Sequence, residues 1–423
     1  MKSLTKLGAV LSFVLVSVSA FAQFDDRDIQ QYRYRDFRGI NQFEALGNDI
    51  AYDGFKVRLG GAFAVQMQAL SHSTESTVDT LITIGNNFNL PTANLDVDVA
   101  LADGMRMHLR TYLSSRHHPE SWVKGGYIQI SNLNWLSQDL LENVMDFTTI
   151  KIGMMEVNYG DYHFRRTDNA RAIYNPFVGN LIMDAFNTEA GAEIYFTPGD
   201  FLVMIGATNG KLNQSVATNN NNTPVFLGKA GWDKQMNEDL RLRLTGSFYT
   251  TADGNTNYLY FGDRAGSRYY LVMEADGSNP TDQSRSGRWN PTFVNQVTSI
   301  MINPFVKYKG LEFFGAYETA SGKLSAETET RTYTQIYGEL VYRFGADEKF
   351  YAGARYNTVT GPQAFSTDDI NISRFAVAAG WFMTPNVMMK AEYVNQTYSD
   401  FAATSIYNNG SFNGAVLEAT ISF

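Results

Sequence analysis

The chain has 423 residues and a formal net charge of −9, from 34 basic and 43 acidic side chains. It contains no cysteine, which excludes a disulfide scaffold, a zinc–thiolate site and a thiol nucleophile. The 29 Phe and 24 Tyr argue against a disordered chain and favour β-structure. The acidic balance is unlike the basic surface of nucleic-acid-binding proteins, so no nucleic-acid partner is expected.

The N-terminus has the pattern of an export signal. Two lysines precede an apolar run over residues 7–18, and Ala20 and Ala22 supply the small residues of a cleavage site. We expect residues 1–22 to be a cleaved signal peptide, and its loss takes the net charge from −9 to −11. No later apolar run is near the ~18 residues that a spanning helix needs. The mature chain is therefore expected outside the cytoplasm, either as a soluble protein or as a membrane β-barrel.

The next segment, residues 23–50, is too polar to span a membrane. We expect it to lie in the periplasm, as a plug or as a contact for a partner. The sequence leaves both roles open.

After residue 50, apolar and polar side chains alternate with a period of two. Two such runs flank a turn at 102–104; the first carries Asp96 and Asp98, and the second carries His108 and Arg110. A hairpin here pairs Asp98 with His108 and Asp96 with Arg110, so that opposite charges meet on the polar face. This period indicates strands with one apolar and one polar face.

The alternation continues to the C-terminus and predicts sixteen strands. They are expected near 55–70, 93–101, 105–115, 121–131, 147–157, 189–197, 201–208, 224–232, 239–250, 297–308, 311–319, 332–344, 350–359, 372–384, 387–398 and 412–423.

Short turns alternate with longer connections, of which the longest are 71–92, 158–188, 209–223 and 251–296. One turn, 132–146, is long enough to hold a short helix. Alternating loop lengths and aromatic strand ends are typical of outer-membrane barrels and are not explained by a soluble β-sandwich, the alternative fold. We therefore predict an all-β, 16-stranded antiparallel transmembrane β-barrel over residues 51–423, with an inward-folded third outer loop at 158–188.

The last strand alternates over residues 415–422 and stops at Phe423. This ending resembles the assembly signal of Gram-negative outer-membrane proteins, and the mature chain as a whole resembles a bacterial porin. The run 150–156 is similar to the corresponding strand of the phosphate-selective porin O and P family. The resemblance implies a homotrimer in outer-membrane lipid, inserted by the barrel-assembly machinery, with loop 158–188 narrowing the lumen.

The predicted constriction loop carries charges of both signs, which argues against phosphate selectivity. Its charged or titratable side chains are His163, Arg165, Arg166, Asp168 and Arg171, together with Asp161 and Asp184. The three arginines are candidates for contact with a passing anion, because a guanidinium presents a fixed fork to carboxylate or phosphate. The alternative is that they pin the loop to acidic wall residues.

Strand parity predicts which charges line the pore. The inward cations are Lys56, Arg58, Arg106, Arg110, Lys151, Arg241, Arg243, Lys307, Arg343, Arg355, Arg374 and Lys390, with His108 beside them. The inward anions are Asp96, Asp98, Glu193, Glu312, Glu318, Glu339, Glu392 and Glu418. Twelve cations against eight anions leave an excess of four positive charges, which predicts a modest anion preference. The alternative is that these charges pair across strands and only solvate the lumen.

These features favour a porin that lets small hydrophilic solutes and ions diffuse passively, with anionic or neutral solutes preferred. A substrate-specific channel and a surface-display or adhesion barrel with binding loops are the alternatives. No enzymatic activity, cofactor or metal is expected, since the chain lacks the G-x-S-x-G, H-E-x-x-H and phosphate-loop motifs. His117 and His118 are a poor metal pair, because adjacent strand residues point to opposite faces.

Overall fold

The computed structural model describes residues 29–44, 46, 50–113, 121–210, 223–252, 257–261 and 268–423. Within these ranges, sixteen strands close into one barrel, each antiparallel to its neighbours in sequence, with β1 paired to β16. The predicted fold is confirmed. The expected signal peptide and the pair His117-His118 lie outside the described residues.

The strands have the bounds β1 Lys56–Ser73, β2 Asn87–Ala102, β3 Met105–Leu113, β4 Ser121–Ile130, β5 Thr148–Glu156, β6 Thr188–Phe196, β7 Phe201–Thr208, β8 Val225–Gln235, β9 Leu240–Thr251, β10 Gln296–Tyr308, β11 Leu311–Lys323, β12 Arg331–Phe344, β13 Phe350–Pro362, β14 Asp369–Thr384, β15 Val387–Ser399 and β16 Ser411–Ser422. A single-turn helix, α1 (Glu142–Met145), lies in the connection where a short helix was expected. Among the described residues no helix is long and apolar enough to cross a bilayer.

Strand β2 begins at Asn87, six residues before its predicted start at 93. Pro91 lies inside this early part, where it would leave a gap in a regular ladder because proline has no N–H to donate. The pairing of β1 with β2 shifts register between Ala64 and Gln66, opposite Pro91. This bulge accommodates the proline, and the expected loop 71–92 shortens to 74–86.

The alternation separates the two faces of the wall. On the predicted hairpin, Asp96 pairs with Arg110 and Asp98 with His108, as expected. Asp96 and Asp98 are at most 1% exposed, whereas Leu95, which directly precedes Asp96 in the strand, is 48% exposed. Polar side chains therefore line the lumen and apolar side chains face outward, the arrangement of a barrel surrounded by lipid.

Connections are short at one end of the barrel and longer at the other. The short-turn end holds 103–104, 197–200, 236–239, 309–310, 345–349 and 385–386, besides the longer connection 131–147 that contains α1. The long-loop end includes 74–86, 157–187 and 252–295. β1 begins and β16 ends at the short-turn end.

Three segments fill much of the lumen. We name them the luminal loop (157–187), the outer loop (its described parts, 257–261 and 268–295) and the N-terminal segment (29–44). Phe177 of the luminal loop, Val272 of the outer loop and Phe43 of the N-terminal segment are all at most 3% exposed and belong to one apolar cluster. Apolar contacts inside a polar-walled barrel thus hold the three segments together.

Candidate functional site in the barrel lumen

The luminal loop is fastened to the wall by Arg165, which is 1% exposed. Its Nη2 lies 2.5 Å from a carboxylate oxygen of Glu339 and 3.5 Å from one of Glu312. Burial lowers the pKa of Arg165, but these two carboxylates outweigh it and raise the pKa above its ordinary value. Arg165 therefore stays charged and pins the loop to wall acids, one of the two roles considered from the sequence.

Arg166 is held inside the luminal loop itself. Its Nε donates to Asp184 at 2.9 Å, its Nη1 lies 3.3 Å from Asp168, and its guanidinium stacks over Phe186 at 3.9 Å. The side chain is completely buried. Asp168 and Asp184 thus balance this arginine within the loop.

Arg171 and His163 both contact Glu156 at the end of β5. Arg171 donates to this carboxylate, and His163 Nδ1 lies 2.6 Å from it. Burial lowers the pKa of His163 to about 4, although Glu156 opposes the shift. The imidazole is therefore neutral near pH 7, and Arg171 carries the positive charge of this group.

The wall charges of β2 and β3 form a cluster with one arginine of the N-terminal segment. Asp98 accepts from Arg106 at 2.5 Å and from Arg35 at 2.7 Å, and Asp96 accepts from Arg110 at 2.6 Å. Arg35 also pairs with Asp96. Three guanidinium groups thus surround two carboxylates.

The other predicted pore-lining side chains also face the lumen, and many have charged partners there. The ion pairs include Arg343 to Glu312 at 2.7 Å, Arg355 to Glu339 at 2.8 Å, Arg243 to Asp161 at 2.8 Å, Arg241 to Asp233 at 2.6 Å and Lys390 to Glu418 at 3.0 Å. Arg374 donates to the Asn180 and Gly287 carbonyls, Glu392 accepts from Val178 N and Tyr269 Oη, Lys56 pairs with Asp53, and Arg58 lies over Tyr32. Pairing across neighbouring strands, the alternative considered from the sequence, is therefore widespread.

Parity missed two buried lysines. Lys229 on β8 lies 2.8 Å from Asp161. Leu227, two residues earlier on the same inward face, is also buried. Because apolar residues lie on both faces of β8, the alternation of apolar and polar residues is lost there. Lys124 on β4 is only 3% exposed because a register shift between Arg110 and Thr111 turns it inward. Regular alternation predicts the opposite face for a residue at such a bulge.

A central cavity of about 120 Å³ remains between the N-terminal segment, the luminal loop and strands β3–β6. Among the described residues, its lining includes the cations Arg33, Arg35, Arg106, Arg110, Lys124, Lys151 and Arg171, and the two carboxylates Glu44 and Glu156. The charged side chains of the described lining are thus mainly positive.

The positive excess at the cavity persists when the neighbouring carboxylates behind its lining are also counted. The Arg35 cluster carries three positive and two negative charges, Arg171 is balanced by Glu156, and Lys151 lies 3.8 Å from Glu193. Lys124 lies 3.7 Å from Asp168, and Glu44 is paired with Lys229 and Arg243 outside the lining. Arg33 donates to backbone carbonyls and stacks on Tyr174 at 4.0 Å; among the described residues no carboxylate lies within ion-pair distance of it.

Burial lowers the pKa of Arg33 to about 9, which still leaves the guanidinium charged at pH 7. Adding this one charge to the excess of one in the Arg35 cluster gives about two positive charges beside the cavity.

This architecture is a porin-like β-barrel. No known protein-family profile matches the chain, and no curated protein matches it by sequence. The barrel is similar to the anion-selective porin from Comamonas acidovorans, with a TM-score of 0.52 and 11% identity over 88% of this chain and 100% of that chain.

Two other solved structures are similar to the same extent. For OmpF of Salmonella typhi the TM-score is 0.52, with 13% identity over 88% of this chain and 99% of that one. For OmpT, an outer membrane protein of Vibrio cholerae, the TM-score is 0.51, with 12% identity over 88% of this chain and 99% of that chain. At these identities the likeness shows the fold. The predicted resemblance to porins is confirmed at that level, while the narrower resemblance to the O and P family stays a prediction.

Proposed function

We propose that the protein is an outer-membrane channel for passive diffusion of small hydrophilic solutes and ions, with a modest preference for anions. The porin-like barrel, with polar side chains inside and apolar ones outside, supports the channel. The observation that carries the anion preference is the cavity lined by seven cations and two carboxylates. A confined positive field attracts anions and repels cations without any chemical step.

The proposal includes the organisation of the chain. Residues 1–22 are a cleaved signal peptide, residues 51–423 form the barrel in the outer membrane, and Phe423 is part of its assembly signal. Phe423 exchanges two backbone hydrogen bonds of 3.0 Å with Gly61, so the C-terminal residue takes part in closing the barrel. We also propose a homotrimer; one similar solved structure is a trimer form of OmpT from Vibrio cholerae, at a TM-score of 0.51.

A substrate-specific channel is the second candidate, and the small size of the central cavity favours it. A space of about 120 Å³ holds a few water molecules or one small ion, rather than a wide column of solvent. A channel of this kind saturates with its preferred solute, whereas a general diffusion pore does not.

The test is planar-bilayer recording of the refolded mature chain in a KCl gradient. We expect ohmic openings and a reversal potential on the chloride side. Openings that favour potassium would contradict the anion preference. A barrel shown to be folded by its heat-modifiable electrophoretic mobility, yet never conducting at any voltage, would contradict the channel. Current that saturates with one anion would favour the substrate-specific alternative.

A further inference from the structure

We infer that the N-terminal segment is a removable plug that closes the central cavity toward the short-turn end of the barrel. The inference rests on the proposed function, because it identifies the gate of the same pore. Withdrawal of the segment would open the cavity to the short-turn side while the barrel stays intact.

The segment is anchored at the rim of the short-turn end at two points. Gln30 accepts a hydrogen bond from Gly104 N at 2.7 Å and donates to Asp103 at 3.0 Å, in the turn between β2 and β3. Phe37 N donates to the Pro385 carbonyl at 2.9 Å, in the turn between β14 and β15. Residues 29–44 therefore enter the lumen from the end where β1 begins.

Part of the segment is a partition between two cavities. A second space of about 370 Å³ is lined by residues 40–44, by Arg38, and by wall residues of β8 and β9 next to the short turn 236–239. Phe43 and Glu44 line both this space and the central cavity. Moving these two residues joins the spaces and connects the central cavity to the short-turn end.

The segment can leave without breaking the barrel. Its residues belong to none of the sixteen strands, and its regular structure is one turn of 3₁₀-helix at Phe37–Gly39. Its contacts with the wall are largely made by side chains, including Arg35 on the Asp96–Asp98 pair and Glu44 on Arg243 at 2.8 Å. A strand or a paired loop would have to give up a ladder of backbone hydrogen bonds to move in the same way.

The packing of Phe43 stabilises the plug in its closed position. It is 3% exposed, and its ring packs edge-on against Phe305 of β10 and Phe164 of the luminal loop, at centroid distances of 5.4 and 5.9 Å. Withdrawal exposes this ring to water, which disfavours the open state. Truncation to alanine removes most of that penalty, so Phe43→Ala should raise the population of the open state at least about tenfold.

The absence of native cysteine allows a direct test by thiol accessibility. Lys151→Cys places a single thiol on the central cavity, and its labelling by a sulfonate-bearing methanethiosulfonate is followed by mass spectrometry in the refolded full chain. Asp347→Cys, on a side chain 78% exposed in the short turn 345–349, is the control that no plug covers.

A disulfide then locks the plug in place. Phe37 N donates to the Pro385 carbonyl, so the two residues are neighbours, and Phe37→Cys with Pro385→Cys ties the middle of the segment to the turn at 385–386. With Lys151→Cys, the oxidised lock should slow labelling at least tenfold, and Phe43→Ala should speed it about tenfold. The Asp347→Cys control should label at one rate throughout.

Equal labelling of Lys151→Cys with and without the lock, and with Phe43→Ala, would overturn the inference and leave the segment a fixed part of the lumen. Bilayer recording of the same preparations separates this failure from failure of the channel. Conductance that ignores the lock overturns the plug and keeps the channel. Lock-sensitive labelling without conductance keeps the plug and refutes the channel.

Discussion

Lys151 gives the sharpest test of the proposed anion preference. It lines the central cavity, its side chain is 16% exposed, and its Nζ lies 3.8 Å from Glu193, which is fully buried. Lys151→Gln removes one positive charge and leaves the Glu193 carboxylate uncompensated. Lys151→Arg keeps the charge at the same position and is the matched control.

The expected size follows from Coulomb's law. A unit charge ~6 Å from a passing ion in water contributes about 0.7 kcal/mol, and screening in 0.1 M salt reduces this to about 0.4 kcal/mol. The anion loses this attraction and the cation loses the same repulsion, so the chloride-to-potassium permeability ratio should fall about fourfold.

Reversal potentials in a KCl gradient measure this ratio directly. Lys151→Gln should move the potential toward that of potassium, and Lys151→Arg should leave it at the wild-type value. An unchanged ratio in Lys151→Gln, or equal shifts in both variants, would refute the assignment of selectivity to charges on the cavity wall.

Three further predictions follow from the charged groups of the lumen and its loops. Asp98→Asn removes a partner of Arg106 and should raise the chloride-to-potassium ratio about fourfold in bilayer recordings; a lower ratio would contradict the charge balance. Glu339→Gln removes the 2.5 Å partner of Arg165 and should destabilise the docked luminal loop by about 3 kcal/mol, seen as faster amide exchange over 157–187, and unchanged exchange would exclude the pinning role. Burial raises the pKa of Glu274 in the outer loop to about 7, so its stabilising contribution is complete below about 4.5 and is lost as pH rises through 7. Proteolysis of the outer loop should accordingly rise up to about tenfold from pH 6 to 8, and Glu274→Gln should abolish this rise.

The barrel could be predicted from sequence because a strand between lipid and a polar lumen must alternate at every residue. This rule also gave the pairing of Asp96 with Arg110, since register follows from the turn and the polar face. It failed where the ladder is irregular. Pro91 interrupts the apolar–polar alternation, so the start of β2 could not be predicted. The bulge at Lys124 turns that side chain to the opposite face from the one that regular alternation predicts.

The contents of the lumen were harder to predict, because they depend on contacts between residues far apart in the chain. Arg35 and Asp98 are 63 residues apart, and Arg165 and Glu339 are 174 apart. Each side chain was visible as a charge, but nothing local in the sequence pairs one with the other. A sum of wall charges therefore overstated the free positive charge, since most of it is neutralised by loop and wall carboxylates. The cavity lining and the carboxylates behind it together retain an excess of about two positive charges.

The most direct test of the central claim is the reversal potential of the refolded, unmodified mature chain in a KCl gradient. The charge distribution around the central cavity predicts open channels whose reversal potential lies on the chloride side. Channels that reverse on the potassium side would contradict it and assign selectivity to charges outside the cavity.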